Sequence, residues 1–200
     1  MKGIGTLLLC TALAVLLSAC GKAPAPRMYI EAAQLTEQEQ NIADLLDSNP
    51  TSHIYDFSLD DTVASIHFNT YELVDGQWQP YAGDNNWAFQ DASGRLALRF
   101  GKIPEGMRVA LQSQHHGGAT SHSIEQPQLE DMSVTTSSLA SPTEVVYEQE
   151  IPLVIQILTT KDEVHSYTVD AFFHPEKYAQ YGYEHIYAIT VMFSQKPLSD

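Results

Sequence analysis

Cysteine is almost missing: the chain has 2 in 200 residues, Cys10 and Cys20, and none after position 20. No disulfide can form within the remaining 180 or so residues, so stapled scaffolds and thiol catalysis are excluded there. Basic residues are scarce too, at 10 Lys plus Arg against 25 Asp plus Glu, for a formal net charge of -15. Gripping phosphate backbones or anionic lipid headgroups needs clustered cations, so nucleic-acid binding and electrostatic adhesion to a membrane are not expected. The longest apolar run, Ile4 to Leu17, is shorter than the roughly 18 to 20 residues a membrane-spanning helix requires. Catalytic signatures are absent as well: no Gly-x-Ser-x-Gly elbow, no His-Glu-x-x-His helix and no phosphate-cradling glycine loop. A hydrolase without a recognisable motif stays open, because triads are assembled in space and Ser, His and Asp are all present.

What is there begins with an address. Residues 1–19 open on one cation, Lys2, continue through the apolar run and close on the small pair Ser18-Ala19, the layout of a secretory signal. The end of this segment, Leu17-Ser18-Ala19-Cys20, resembles the lipobox of bacterial lipoproteins. That resemblance implies cleavage before Cys20, a lipid on its thiol, and a protein held at the extracytoplasmic face of the cell membrane, or in the periplasm or outer membrane of a two-membrane cell. Cys10 does not fit the pattern, since it follows the bulky Leu7-Leu8-Leu9 and reads as an apolar member of the signal helix. After it, residues 20–30 read as a stiff Pro/Ala tether, and residues 31–200 as the folded domain. A domain of this length can bury one sizeable core without cross-links.

Within that domain Thr36-Glu37-Gln38-Glu39 has the form of a capping box, with Ile42, Leu45 and Leu46 as an apolar stripe behind it and Ser48-Asn49-Pro50 as the stop. From about Ile54 onward the period is two, which predicts a mainly β domain: a β-sandwich with a short N-terminal helix, or two small packed β subdomains. A bulge near Asn69-Thr70 would keep Ile66, Phe68, Tyr71 and Leu73 on one inward face. Asp75-Gly76 suits a tight hairpin that sets Leu73 across from Trp78 and turns Trp78 inward. Leu96, Leu98 and Phe100 alternate with polar or small residues, as do Met107, Val109 and Leu111, predicting two half-buried paired strands. Residues 126–143 read as a long surface loop that divides two blocks of strands. Ile151 to Leu158 and His185 to Phe193, apolar at nearly every position, predict strands covered on both faces. A single helical turn is expected from Pro175 to Tyr178.

Two clusters have the character of sites. His115, His116 and His122 surround Gly117-Gly118, and imidazoles brought together by a folded-back loop would hold Zn or Cu; the alternative is an exposed polar turn. Trp87 and Tyr81 flank the polar stretch Gly83 to Asn86 and would suit sugar binding by ring stacking, with core packing as the alternative. These readings leave a lipid-anchored binding or interaction module as the leading expectation, its partner an envelope protein or glycan. A metal-binding lipoprotein and a hydrolase are the alternatives.

Overall fold

The computed structural model describes residues 28–46, 52–122, 129 and 131–198. The signal segment, Cys20, the tether up to Arg27 and the helix stop at Ser48-Asn49-Pro50 lie outside these residues. In chain order the elements are β1 (Tyr29–Ala32), α1 (Glu37–Leu46), β2 (Ser52–Ser58), β3 (Ser65–Val74), β4 (Gln77–Ala88) and β5 (Ser93–Phe100). There follow β6 (Met107–Ser113), β7 (Gly117–His122), β8 (Ser133–Ser138), β9 (Thr143–Glu144), β10 (Ile151–Thr159), α2 (Glu176–Ala179) and β11 (His185–Ser194). Two antiparallel sheets form: sheet A in the order β7-β6-β5-β2-β1-β9, and sheet B in the order β4-β3-β11-β10-β8. Their inner faces meet over one buried cluster that draws on both sheets, so the fold is a β-sandwich. Both sheets mix strands from before and after residues 126–143, which sets aside the alternative of two subdomains.

Period-two patterning accounts for most of sheet A. Leu96 pairs with Leu111, Leu98 with Val109 and Phe100 with Met107, and all six side chains are buried. On the facing sheet, Ile66, Phe68, Ile189, Val191 and Phe193 point into the same core. β10 and β11 are apolar on both faces because a second buried cluster covers the outer face of sheet B. Ile155, Ile157, Ile186 and Ala188 pack there against Ala171 and Tyr178 from the excursion between β10 and β11. That excursion contains a 3-10 turn, Val169–Phe173, and α2, which follows Pro175 as expected. The clusters lie between Ile30 and Phe193, so a chain starting at residue 20 carries both in full.

Four expectations are corrected here. β3 runs past β11 in unbroken register, so Tyr71 and Leu73 point outward into the second cluster; the irregularity at Asn69-Thr70 lies in the pairing of β3 with β4. No inward bulge is needed, because the outer face is itself covered. Trp78 does pair with Leu73 across a turn with Asp75 at φ 50 and Gly76 at φ 77. It packs outside the sandwich, stacked on Phe172 and donating its indole N–H to the Phe172 carbonyl at 2.7 Å. The tether ends earlier than residue 30, since Ile30 is fully buried and β1 pairs with both β2 and β9. The stretch 126–143 contains the edge strand β8, paired to β10 along its length. Its Ser and Thr side chains suit a strand with one solvated face, which a composition rule scores as loop.

α1 forms where the capping box places it. The Glu39 N–H donates to Thr36 Oγ1 at 3.3 Å and the Thr36 N–H to Glu39 Oε2 at 2.8 Å, the reciprocal pair of such a box. Two members of its apolar stripe face solvent: Ile42 is 58% exposed and Leu45 86%. A charged contact ties the helix to sheet A. Arg95 binds Asp56 at 2.7 Å and Glu39 at 2.8 Å. The Thr36 N–H, then Arg95 and the Thr36 hydroxyl, lower the Glu39 carboxyl from 4.5 to about 2. A depressed carboxylate contributes stability that is present above its unfolded value and lost as pH falls through its folded one. α1 is therefore expected to loosen between about pH 4.5 and 2, read as amide-shift changes in residues 37–45 by NMR. In Glu39→Gln this step should vanish; an unchanged titration in that variant would remove Glu39 as the cause.

Candidate functional site

The outer face of sheet B is covered by the β10–β11 excursion, whereas the outer face of sheet A carries α1. Register arranges its outward residues in rows across the strands. Asp56, Arg95 and Gln112 form one row, Ile54, Ala97 and Ala110 the next, and Ser52, Arg99 and Arg108 the third. In β7, Ala119 continues the middle row. An apolar trough thus runs between two rows that carry arginine. Alanines at these positions leave space that larger side chains would fill, and Ala43 of α1 forms a wall above it. The result is an open cavity of about 230 Å3, lined by Ala43, Ile54, Ala97, Ala110, Arg99 and Arg108 among others. A second cavity of about 260 Å3 shares Ala43, Ser52 and Ile54 and extends the groove beneath α1 toward Leu35.

Electrostatics distinguish the two rims. Arg95 is committed, with Asp56 and Glu39 both bonded to its guanidinium, and these contacts raise its already high pKa further. Arg108 is exposed and has no hydrogen-bond or ion-pair partner among the described residues, while Arg99 stands directly across from it. All three arginines of the described residues lie on this one face, in a chain whose net charge is -15. The Arg95-Ala97-Arg99 and Arg108-Ala110 alternation is visible in the sequence as the outward side of two strands. Its meaning depended on where α1 docks, and the exposed Ile42 and Leu45 of that helix gave no guide.

The histidine cluster is only partly assembled. His115 and His116 sit in the β6–β7 turn and both direct Nδ1 at Asp91, at 2.6 and 3.2 Å. Asp91 also accepts from the Ser113 hydroxyl at 2.5 Å and the His115 N–H at 2.9 Å. These donors, the Ser113 hydroxyl first, hold its carboxyl well below the ordinary range. Gly117-Gly118 do not fold the loop back, as they begin β7. His122 pairs with Met107 at the far end of that strand, roughly 17 Å from Gly117 at about 3.4 Å per residue. The backbone thus sets His122 at the other end of β7 from His115 and His116, and among the described residues no group of three or more His, Cys, Asp or Glu is placed to hold a metal ion. What the turn contains is a carboxylate clamp that closes the β6–β7 hairpin onto the chain before β5.

Trp87 and Tyr81 are not brought together either. Trp87 is half-buried with its edge against Phe68 at 5.2 Å between centroids, opposite Ile66. Tyr81 packs on the buried Tyr187 at 4.8 Å, beside Glu72 several residues farther along β3. One further arrangement has the outline of a proton relay. His67 Nε2 lies 2.9 Å from Ser65 Oγ, and its Nδ1 lies 2.9 Å from Asn86 Oδ1. Ser65 is fully buried and gives its proton to the Lys196 carbonyl at 2.7 Å, so no substrate atom has an approach to its oxygen. Its evident role is to fix the C-terminal tail to β3.

No family model, no curated protein and no solved structure matches this chain.

Proposed function

We propose that this protein is a lipid-anchored, extracytoplasmic binding module whose recognition surface is the groove between α1 and the outer face of sheet A. The lipid supplies location, and a short tether raises the effective concentration of the domain toward partners in the same envelope. The groove is the observation that carries the reading. It joins an apolar floor to convergent charged groups at its rim, the general composition of small-ligand sites. A core that closes without cross-links suits a domain exported with its single remaining cysteine occupied by lipid. Among the described residues no helix is long and apolar enough to cross a membrane.

Two measurements test the reading. Cys20→Ser is expected to abolish incorporation of labelled palmitate and to leave the protein either released or uncleaved; undiminished labelling would overturn the anchor. For the binding half, residues 20–200 carrying Cys20→Ser are screened by thermal shift against carboxylates, amines, neutral sugars and metal ions. At least one class should raise the melting temperature, because a ligand that binds only the folded state stabilises it by mass action. That increment should disappear in Ala97→Trp, which fills the trough. No stabilisation by any class, or stabilisation indifferent to Ala97→Trp, would overturn the groove as the recognition surface.

A further inference from the structure

We infer that a second groove, at the β9 edge of the sandwich, docks a basic segment of a protein partner through one lysine or arginine side chain flanked by apolar residues. It shares no lining residue with the groove under α1 and goes beyond the reading above. After β8 the chain leaves sheet B, adds β9 to β1 in sheet A and returns to sheet B as β10. Between this crossing and the 3-10 turn Val169–Phe173 lies an open cavity of about 180 Å3, lined by Glu144, Val146, Glu150, Ile151, Asp170 and Phe173 among others. Among the described residues five large apolar side chains are exposed, and two of them, Val146 at 43% and Phe173 at 57%, line this one cavity. Exposed apolar groups gathered at a concave surface mark an interaction site, whereas singly scattered ones need no explanation.

Charge decides the occupant. Among the described residues the charged lining is acidic throughout: Glu144, Glu150 and Asp170. Glu150 accepts from Asn69 Nδ2 at 2.7 Å, from the Tyr71 hydroxyl at 2.9 Å and from the Thr190 hydroxyl. All three donors are neutral, so they fix its carboxylate and leave its charge in place. Asp170 accepts the Thr168 hydroxyl at 3.3 Å, and none of the three acids is paired with a cation among the described residues. An anion would face three carboxylates, and a neutral apolar group would leave them without a counter-charge. A lysine or arginine side chain answers both features of the groove, because its methylene stem covers apolar surface while its head reaches a carboxylate. The exposed phenyl ring of Phe173 adds attraction for a cation at its face. The cavity is of a size for one long side chain, and Val146 and Phe173 at its margin then take apolar neighbours, which a free amine would leave in water. A second copy of this chain would bring its own formal net charge of -15, and the same charge draws a basic partner toward the domain.

Panning of a phage-displayed random dodecapeptide library on residues 20–200 carrying Cys20→Ser, with counter-panning on the same chain carrying Glu144→Gln and Asp170→Asn, tests this assignment. Peptides kept by the first chain and not by the second should carry lysine or arginine beside an apolar residue. Synthesised with a fluorophore and titrated by anisotropy, they should lose about tenfold or more in affinity to the Glu144→Gln and Asp170→Asn chain, and as much when their cation is replaced by norleucine. Phe173→Ala should weaken them by about two- to fivefold. Glu144 and Asp170 are exposed, so their neutral replacements should not disturb folding; should Phe173→Ala fail to fold, the charge variant still decides the result. If no peptide distinguishes the two chains, or if those that do lack a cation, the assignment is overturned. Displacement of bound peptide by butylamine at the peptide's own concentration would give the groove to a free amine instead. Dimerisation of the domain that is lost in the Glu144→Gln and Asp170→Asn chain would give it to a second copy, and either result overturns the protein-partner assignment. None of these outcomes bears on the groove under α1, which Ala97→Trp tests separately.

Discussion

Gln156→Leu is expected to lower the stability of the domain by about 2–3 kcal/mol, although it makes β10 uniformly apolar without much change in volume. Gln156 is fully buried and bridges the two sheets. Its Oε1 accepts the Ile103 N–H at 2.7 Å, and its Nε2 donates to the Gly101 carbonyl at 2.9 Å and to Thr136 Oγ1 at 3.2 Å. Ile103 opens the 3-10 turn Ile103–Glu105 between β5 and β6 and is itself buried. With leucine in place, its N–H keeps no partner and loses water, which is the costly direction of the hydrogen-bond asymmetry. The melting temperature should fall by roughly 5–10 °C for a domain of this size. Exposed Gln112→Leu, on β6, should shift stability by no more than about 0.5 kcal/mol. Thermal denaturation of the two variants side by side checks the claim, and equal small effects would mean that Gln156 is not the tie between the sheets.

Gly94→Ala should also destabilise, by about 2–3 kcal/mol, against the usual gain from replacing glycine within a strand. A methyl at this position would lie 2.6 Å from Phe57 Cζ and 2.9 Å from the Gln112 carbonyl oxygen. The carbonyl belongs to the β5–β6 ladder and cannot retreat without breaking it. Phe57 cannot retreat either, being 3% exposed and packed on Phe89 and Phe193 at ring separations of 5.5 and 5.2 Å. Gly118, with nothing within 4 Å of a would-be methyl, provides the contrast: Gly118→Ala should be neutral or stabilising. A double-mutant cycle with Phe57→Leu isolates the contact, since shortening the ring should return part of the loss in Gly94→Ala. Additive effects would place the strain elsewhere.

Both positions show how tertiary contact reverses a local rule. In the sequence Gln156 is one polar letter in an apolar run and Gly94 one glycine beside Ser93. Neither letter carries its partner, because the Ile103 N–H and the Phe57 ring arrive from 53 and 37 positions away in the chain. The groove was hidden for the same reason. Arg99, Arg108, Ala97 and Ala110 were legible as outward positions of two strands, yet nothing local says that α1 lies over them on the strength of Glu39 and Arg95.

Several features were set by the sequence alone. The capping box at Thr36 to Glu39, the hairpin at Asp75-Gly76, the paired strands on either side of Pro104 and the double-sided burial of β10 and β11 follow from short-range geometry. Each depends on residues within a few positions of one another, so side-chain period and turn stereochemistry suffice. The lack of cysteine after position 20 likewise settled that the core must close without cross-links. Tertiary structure decided what depends on distance. It sent Tyr71, Leu73 and Trp78 to a second cluster outside the sandwich and separated His122 from His115 and His116 by the length of β7. It also left Ile42 and Leu45 of α1 exposed while a charged contact tied the helix to sheet A. A strand's period reports that its two faces differ, but which face meets another element is fixed by the packing of segments remote in sequence, and that packing is where the groove arises.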